Sequence, residues 1–152
     1  MTRIFVDADA CPVKKDITKT AEKYGISVIM VYSVCHLSKD QGNFHSIVVD
    51  NESQSADLMI INQIAKNDVV VTDDYGLASI ILMKKGFCLS SRGLIYTVEN
   101  IDMLLYQRHL NAKILRSKGR IKKCPKRSKE DDFIFVQSLE KIIKQSLYNP
   151  YG

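Results

Sequence analysis

Two stretches of the sequence end alike. Residues 4 to 9 read IFVDAD and residues 69 to 74 read VVVTDD, so an apolar run twice opens onto a pair of aspartates. Two carboxylates about 4 Å apart repel by roughly 4 kcal/mol at an effective dielectric of 20, and three or more in one cleft require a counter-charge. A hard divalent cation held through oxygens, Mg²⁺ or Mn²⁺, supplies it, and such a cation can activate water and neutralise phosphate oxygens. Asp7, Asp9, Asp57, Asp73 and Asp74 are the candidate catalytic residues, with Asp7, Asp57, Asp73 and Asp74 as metal ligands. With no Cys or His alongside them, zinc fits less well. The competing explanation is structural: aspartate caps helices and favours their N-terminal dipole, which could account for Asp9, Asp57 and Asp74 one at a time.

The elements that must position these acids alternate along the chain. Continuous β-branched runs predict strands at residues 3–6, 27–32, 45–49, 68–72 and, shorter, 86–89, in the pattern of strands buried on both faces. Helices are predicted between them: from Pro12 to a stop at Gly25, over ADLMIINQIAKN capped by Ser55, and over TDDYGLASIILMKKG closed by Gly86. A fourth runs over about 98–110. A fifth opens at the capping box SKED (residues 128–131) and ends near Leu147. Strands alternating with helices imply a three-layer α/β fold with a mostly parallel sheet of about five strands. In such a sheet ligands bind outside the carboxyl ends of the strands, which is where Asp7, Asp9, Asp73 and Asp74 fall. Asp57 heads the helical stripe continued by Ile60, Ile61 and Ile64, which must face the sheet.

The chain has 152 residues, 45% of them hydrophobic, which suits one domain over 1–152. No apolar run approaches the roughly 18 residues of a membrane span, and the N-terminus has no signal-peptide architecture; a cytoplasmic protein is expected. The net charge of +5 is uneven. Residues 111–129, expected to form a basic loop, hold nine bases and no acid, leaving 13 bases against 17 acids in the rest. Clustered Lys and Arg track a phosphate backbone by displacing counterions, although such a run is as readily a solvated loop. Lys14, Arg92, Arg116, Lys118, Arg120, Lys126 and Arg127 are the candidate nucleic-acid contacts. Cys11, Cys35, Cys88 and Cys124 lack metal spacing and read as reduced thiols, Cys11 at a helix start being open to activation. His36 and His45 flank a polar connection, CHLSKDQGNFH, that could form a flap.

The blocks VDADACPVK (6–14), SADLMI (55–60), VVVTDDYGLAS (69–79) and GRIKKCPKRSKEDDFIF (119–135) resemble the signature blocks of the YaiI/YqxD family, in the family's order and over nearly the whole chain. That family is placed among PIN-like domains, whose better-known members are metal-dependent ribonucleases and flap nucleases. The resemblance implies a PIN-like fold and, by analogy, an acidic site on Asp7, Asp57 and Asp73 with Asp74. Asp9 belongs to the DAD arrangement. The family's C-terminal Gly-Gly-Arg turn followed by Gly-Pro is replaced here by Lys118, Gly119, Arg120 and by Cys124, Pro125, which argues against a glycine-dependent phosphate cradle while keeping the charge.

The leading expectation is therefore a metal-dependent phosphodiesterase, a nuclease on RNA or single-stranded nucleic acid. Two alternatives remain open. DADAC also resembles the nucleophile loop of haloacid-dehalogenase phosphatases, with Asp7 phosphorylated and Asp9 as general acid/base. A non-catalytic nucleic-acid-binding module would keep the acids for capping, with Tyr75, Phe87, Tyr96 and Tyr106 serving core packing or base stacking. The last helix, with Phe133, Phe135, Val136, Leu139, Ile142 and Ile143, is expected in the core, and a homo-oligomer is compatible with the sequence.

Overall fold

A computed structural model of the chain describes residues 2–9, 11–34, 44–51, 54–117, 119–120 and 125–148. In chain order the elements are β1 (Arg3–Asp7), α1 (Lys14–Tyr24), β2 (Ser27–Ser33), β3 (His45–Val49), α2 (Ser55–Gln63), β4 (Val69–Val71), α3 (Tyr75–Met83), β5 (Phe87–Leu89), β6 (Ile95–Tyr96), α4 (Ile101–Arg116) and α5 (Lys129–Tyr148). The strands form one sheet in the order β3-β2-β1-β4-β5-β6. The first five run parallel, and β6 returns antiparallel to β5.

Alternation along the strands builds the three layers. Ile4 and Val6, with Val69, Val71 and Met30, turn to the face covered by α1 and α5, where Ile17, Phe135, Leu139, Ile142 and Ile143 complete one core. Phe5, Val31 and Val70 turn to the other face and meet Ile60, Leu77 and Ile81 of α2 and α3. Because β1 and β4 are buried on both faces, residues 4–6 and 69–71 are unbroken apolar runs up to the aspartate or threonine that follows each. Strand order reverses between β1 and β4, which leaves a crevice beyond their carboxyl ends.

The α/β layering expected from the sequence is observed, with adjustments. β6 is a sixth strand; at two residues it is too short to show a period. Pro12 lies in a turn and α1 starts at Lys14, while Gly25 closes the helix in the left-handed region at φ 66°. Ser55 is already inside α2 and the capping position is Gln54, itself at φ 71°. That helix ends at Gln63, short of the expected Asn67, because the buried carboxylate of Asp68 captures the Ala65 N–H at 2.8 Å. The largest correction concerns the basic segment. α4 continues to Arg116, so residues 111–116 are helix and not loop. The box at Ser128 forms as expected: Asp131 Oδ2 accepts the Ser128 N–H at 2.9 Å, and Ser128 Oγ accepts the Asp131 N–H at 3.3 Å. On α5, Phe133 is exposed rather than in the core, since it lies off the stripe of Phe135, Leu139 and Ile142. The flap expected over CHLSKDQGNFH lies outside the described residues, apart from Phe44 and from His45, which is an exposed strand residue.

Candidate acidic site at the carboxyl ends of the sheet

Past β1 the chain keeps its place beside β2 for one more residue, Ala8 N–H donating to Val31 O at 3.0 Å. The Asp9 carboxylate then accepts the Ser33 N–H at 2.8 Å, which braces the DAD turn against the end of β2. Past β4, Thr72 N–H donates to Leu89 O, and the Thr72 hydroxyl is shared. It donates to Asp7 Oδ2 at 3.1 Å and accepts the Asp74 N–H at 3.1 Å. Tyr96 fixes the same residue from below by donating its hydroxyl to Thr72 O. Asp74 caps α3, with Oδ1 accepting from Gly76 and Leu77. Asp73 is held by Ser91, whose N–H and hydroxyl donate to its two oxygens at 2.9 and 2.8 Å.

These contacts bring Asp7, Asp9, Asp73 and Asp74 to the wall of one cavity of about 170 Å³, with Cys11, Val71, Thr72 and Ser91. Asp57 is not in that wall. It lines the neighbouring cavity with Asp74 and Arg108, and Asp74 belongs to both. Electrostatics nevertheless tie the five together. Burial raises the Asp7 carboxyl above the usual aspartate range against a lowering by Thr72, and the charges of Asp9, Asp74 and Asp73 raise it further. Asp57 is pushed up to about 6 by burial, by the charges of Asp74 and Asp7, and by a hydrogen bond shared with Asp74. Cys11 does sit beside the acids, contrary to the sequence expectation of no cysteine there. Burial pushes its thiol up to about 11, so at neutral pH it is a protonated wall and not an activated thiolate.

Whether a cation fits can be judged from the donors. Four carboxylates with a protonated thiol suit a hard ion and disfavour zinc. Their spacing is looser than a finished site: among the described residues no three His, Cys, Asp or Glu side chains gather closely enough to hold an ion in common. The chemistry fits, and the carboxylates would have to draw in around the ion.

The expected basic contacts separate into two kinds. Arg92 and Arg127 are engaged within the fold: Arg92 donates to Pro125 O at 2.7 Å and pairs with Asp131, and Arg127 binds Asp132 at 2.7 Å. Arg116, Arg120 and Lys126 are exposed, and Lys118 lies outside the described residues. Lys14 places its ammonium 5.0 Å over the Tyr32 ring and lines a cavity of about 530 Å³ that shares Cys11 with the acidic one. Of the aromatics, Tyr96 is buried and meets Tyr75 edge-on, whereas Tyr106 is exposed. Sequence reasoning missed Thr72, Ser91 and Arg108. The serine had a usable signal, since it follows the carboxyl end of β5 as the aspartates follow β1 and β4; Arg108 had none, for its approach to Asp74 at 3.5 Å spans 34 residues.

Fold and site together define an open, doubly wound α/β protein with an acidic crevice at the switch point of its sheet. The chain belongs to the YaiI/YqxD family: the profile of that family, described as an uncharacterized BCR, matches residues 5–145. UPF0178 proteins of Ruminiclostridium cellulolyticum and Alkaliphilus metalliredigens are 47% and 42% identical to it over 148 and 147 residues, covering 97% of this chain in each case and 96% and 95% of those proteins. Among solved structures, a mutant of Rae1 (YacP) from Bacillus subtilis aligns over 95% of this chain and 91% of its own, at 16% identity and a TM-score of 0.45.

Proposed function

We infer that the chain is a metal-dependent phosphodiesterase acting on RNA or single-stranded nucleic acid. One observation carries the reading: Asp7, Asp9, Asp73 and Asp74 converge on one crevice at the strand-order switch, close enough for their charges to raise the Asp7 carboxyl. Carboxylates that oppose one another's ionisation in a crevice are poised for a cation. Asp7, Asp73 and Asp74 would hold it, with Asp9 in the same wall and Asp57 joining from the neighbouring cavity through Asp74. A bound Mg²⁺ or Mn²⁺ supplies charge neutralisation at phosphate oxygens and a lowered pKa for water. The protein's own part is orientation. Thr72 turns one oxygen of Asp7, Ser91 fixes both oxygens of Asp73, and the α3 cap fixes one oxygen of Asp74. The exposed Arg120 and Lys126 would supply the positive surface along which a phosphate backbone lies.

The test is Mn²⁺-dependent cleavage of a mixed pool of RNA and single-stranded DNA oligonucleotides, wild type against Asp7→Asn. The wild type should cleave, and the variant should be at least about a hundredfold slower, roughly 2.7 kcal/mol of barrier. Equal cleavage by both, or none by either, removes the reading. A second reading, a nucleic-acid-binding module without catalysis, draws on the local engagement of the acids: Asp9, Asp73 and Asp74 each accept backbone N–H groups. It predicts salt-sensitive oligonucleotide binding that Asp7→Asn leaves intact and that no metal converts into cleavage.

A further inference from the structure

Helix α4 is apolar on two opposite faces, and among the described residues only one of them packs into the core. Inward, Ile101, Leu104 and Leu105 pack into the core beneath α3. Outward, at spacings of three, four and four, Met103, Tyr106, Leu110 and Ile114 form a stripe that is 65, 63, 39 and 42% exposed. A stripe at helical period along a 16-residue helix, about 24 Å of it, is the pattern by which a helix seats on another helix. Solvent-exposed side chains of this size in a continuous row mark an interaction surface rather than scattered surface residues.

The charges beside the stripe say what kind of partner fits. Asp102, Lys113 and Arg116 are 11 and then 3 residues apart, which at 100° per residue puts them on one flank, the acid at the N-terminal end and the two bases at the C-terminal end. Two copies of α4 laid antiparallel about a two-fold axis bring like flanks together with their ends reversed. Asp102 of each copy then meets Lys113 and Arg116 of the other, twice over, while Met103 meets Ile114 across the seam. The helix is complementary to itself. A phosphate backbone would gain from the bases but nothing from four apolar side chains, and would meet an acid at the far end.

We propose that the outward face of α4 is the interface of a homodimer, joined antiparallel through Met103, Tyr106, Leu110 and Ile114 and held in register by Asp102 against Lys113 and Arg116. The interface is isologous, and the elements beside α4 must contribute for it to reach the roughly 1,200 Å² of a specific complex. It is independent of the metal and of any activity of the acidic site.

Light scattering coupled to size exclusion tests this on the full chain. Wild type should elute at twice the monomer mass of 17.3 kDa. Leu110→Glu places a charge in the seam, on a side chain the monomer fold does not bury, and should yield a monomer with unchanged circular dichroism. Asp102→Lys should raise the dimer dissociation constant about tenfold or more, and adding Lys113→Glu and Arg116→Glu to it should bring the constant back to within about threefold of wild type. A wild type that stays monomeric up to its solubility limit, a dimer indifferent to Leu110→Glu, or charge reversal on both ends that fails to restore association would each overturn the proposal. So would a monomeric wild type that needs Leu110 to bind oligonucleotide, which would give the face to nucleic acid.

Discussion

At Asp57 the folded carboxyl is pushed up to about 6 from its ordinary 3.8, so between those values the folded chain holds a proton that the unfolded chain has lost. Stability contributed by this group therefore falls as pH rises through about 6 and is regained on acidification, and the raised Asp7 acts in the same direction. Metal-free protein should melt at a higher temperature at pH 5.5 than at pH 7.5 by differential scanning calorimetry, and Asp57→Asn should shrink that difference. Mn²⁺ at pH 7.5 should recover the loss if it occupies the crevice. Asp74 separates two roles that the sequence left entangled. Asp74→Asn keeps an acceptor for the Gly76 and Leu77 N–H groups, whereas Asp74→Ala removes it and should cost about 1 kcal/mol in urea denaturation. Metal-dependent cleavage should fall in both variants, because both remove the charge. If only Asp74→Ala loses cleavage, the residue is a cap and nothing more.

The turn between β5 and β6 is the element on which the Asp73 side of the crevice depends. Ser90 accepts the Arg92 and Leu94 N–H groups and so folds the turn, which presents Ser91 to Asp73. Gly93 completes it at φ 89°, where a Cβ would lie 3.0–3.1 Å from the side chain and backbone of Ile134 in α5. Gly93→Ala is therefore strained in backbone and in packing and should lower stability by about 2 kcal/mol, read from urea midpoints at constant slope. Ser91→Ala leaves the turn and the backbone N–H bond to Asp73 Oδ1 intact but removes the hydroxyl that holds Oδ2. It should weaken Mn²⁺ binding about tenfold, by calorimetric titration, with little change in melting temperature.

Across the whole molecule the two ends of the sheet have different work. Opposite the crevice, the amino ends of β1 and β4 are joined by Asp68, 1% exposed, which accepts from the Arg3 N–H, the Arg3 guanidinium at 2.7 Å and the Ala65 N–H. Thr2 and Ser146 share a hydrogen bond at 2.6 Å beside it, and Ser146 donates to Asn67 O, so the first strand, the last helix and the β4 approach close on one another. Asp68→Ala leaves the Arg3 guanidinium and the partly buried Arg3 and Ala65 N–H groups without their acceptor and should cost about 2 kcal/mol, with any cleavage at the far end of the sheet unaffected once the chain is folded. Charge acts at the same scale. With Arg92 and Arg127 occupied inside the fold, the salt slope of oligonucleotide binding should drop by about one on Arg120→Ala or Lys126→Ala but change little on Arg127→Ala, which should instead lower stability. Among the described residues no helix is long and apolar enough to cross a membrane.

The alternation of elements was legible because strands buried on both faces are apolar runs and several helices carry their own start or stop, as at Gly25 and Ser128, whereas α2 carries no side-chain cap. Placing aspartates at strand ends needed no more than that, since a parallel sheet collects its carboxyl ends on one rim. What the sequence could not express were relations set by strand order and turn shape. β1 lies beside β4, which closes Asp7 on Thr72 and Asp73 on Ser91, while α2 arrives one cavity away and leaves Asp57 touching the group only through Asp74. The same limit hid the fate of the basic residues: Arg92 and Arg127 find partners on a turn and a helix folded against them, and a sum of charges along the chain cannot distinguish them from Arg120 in water. Local sequence determined which groups reach the rim, and long-range pairing decided which of them meet, because contact between residues far apart in the chain depends on how the layers close and on no single stretch.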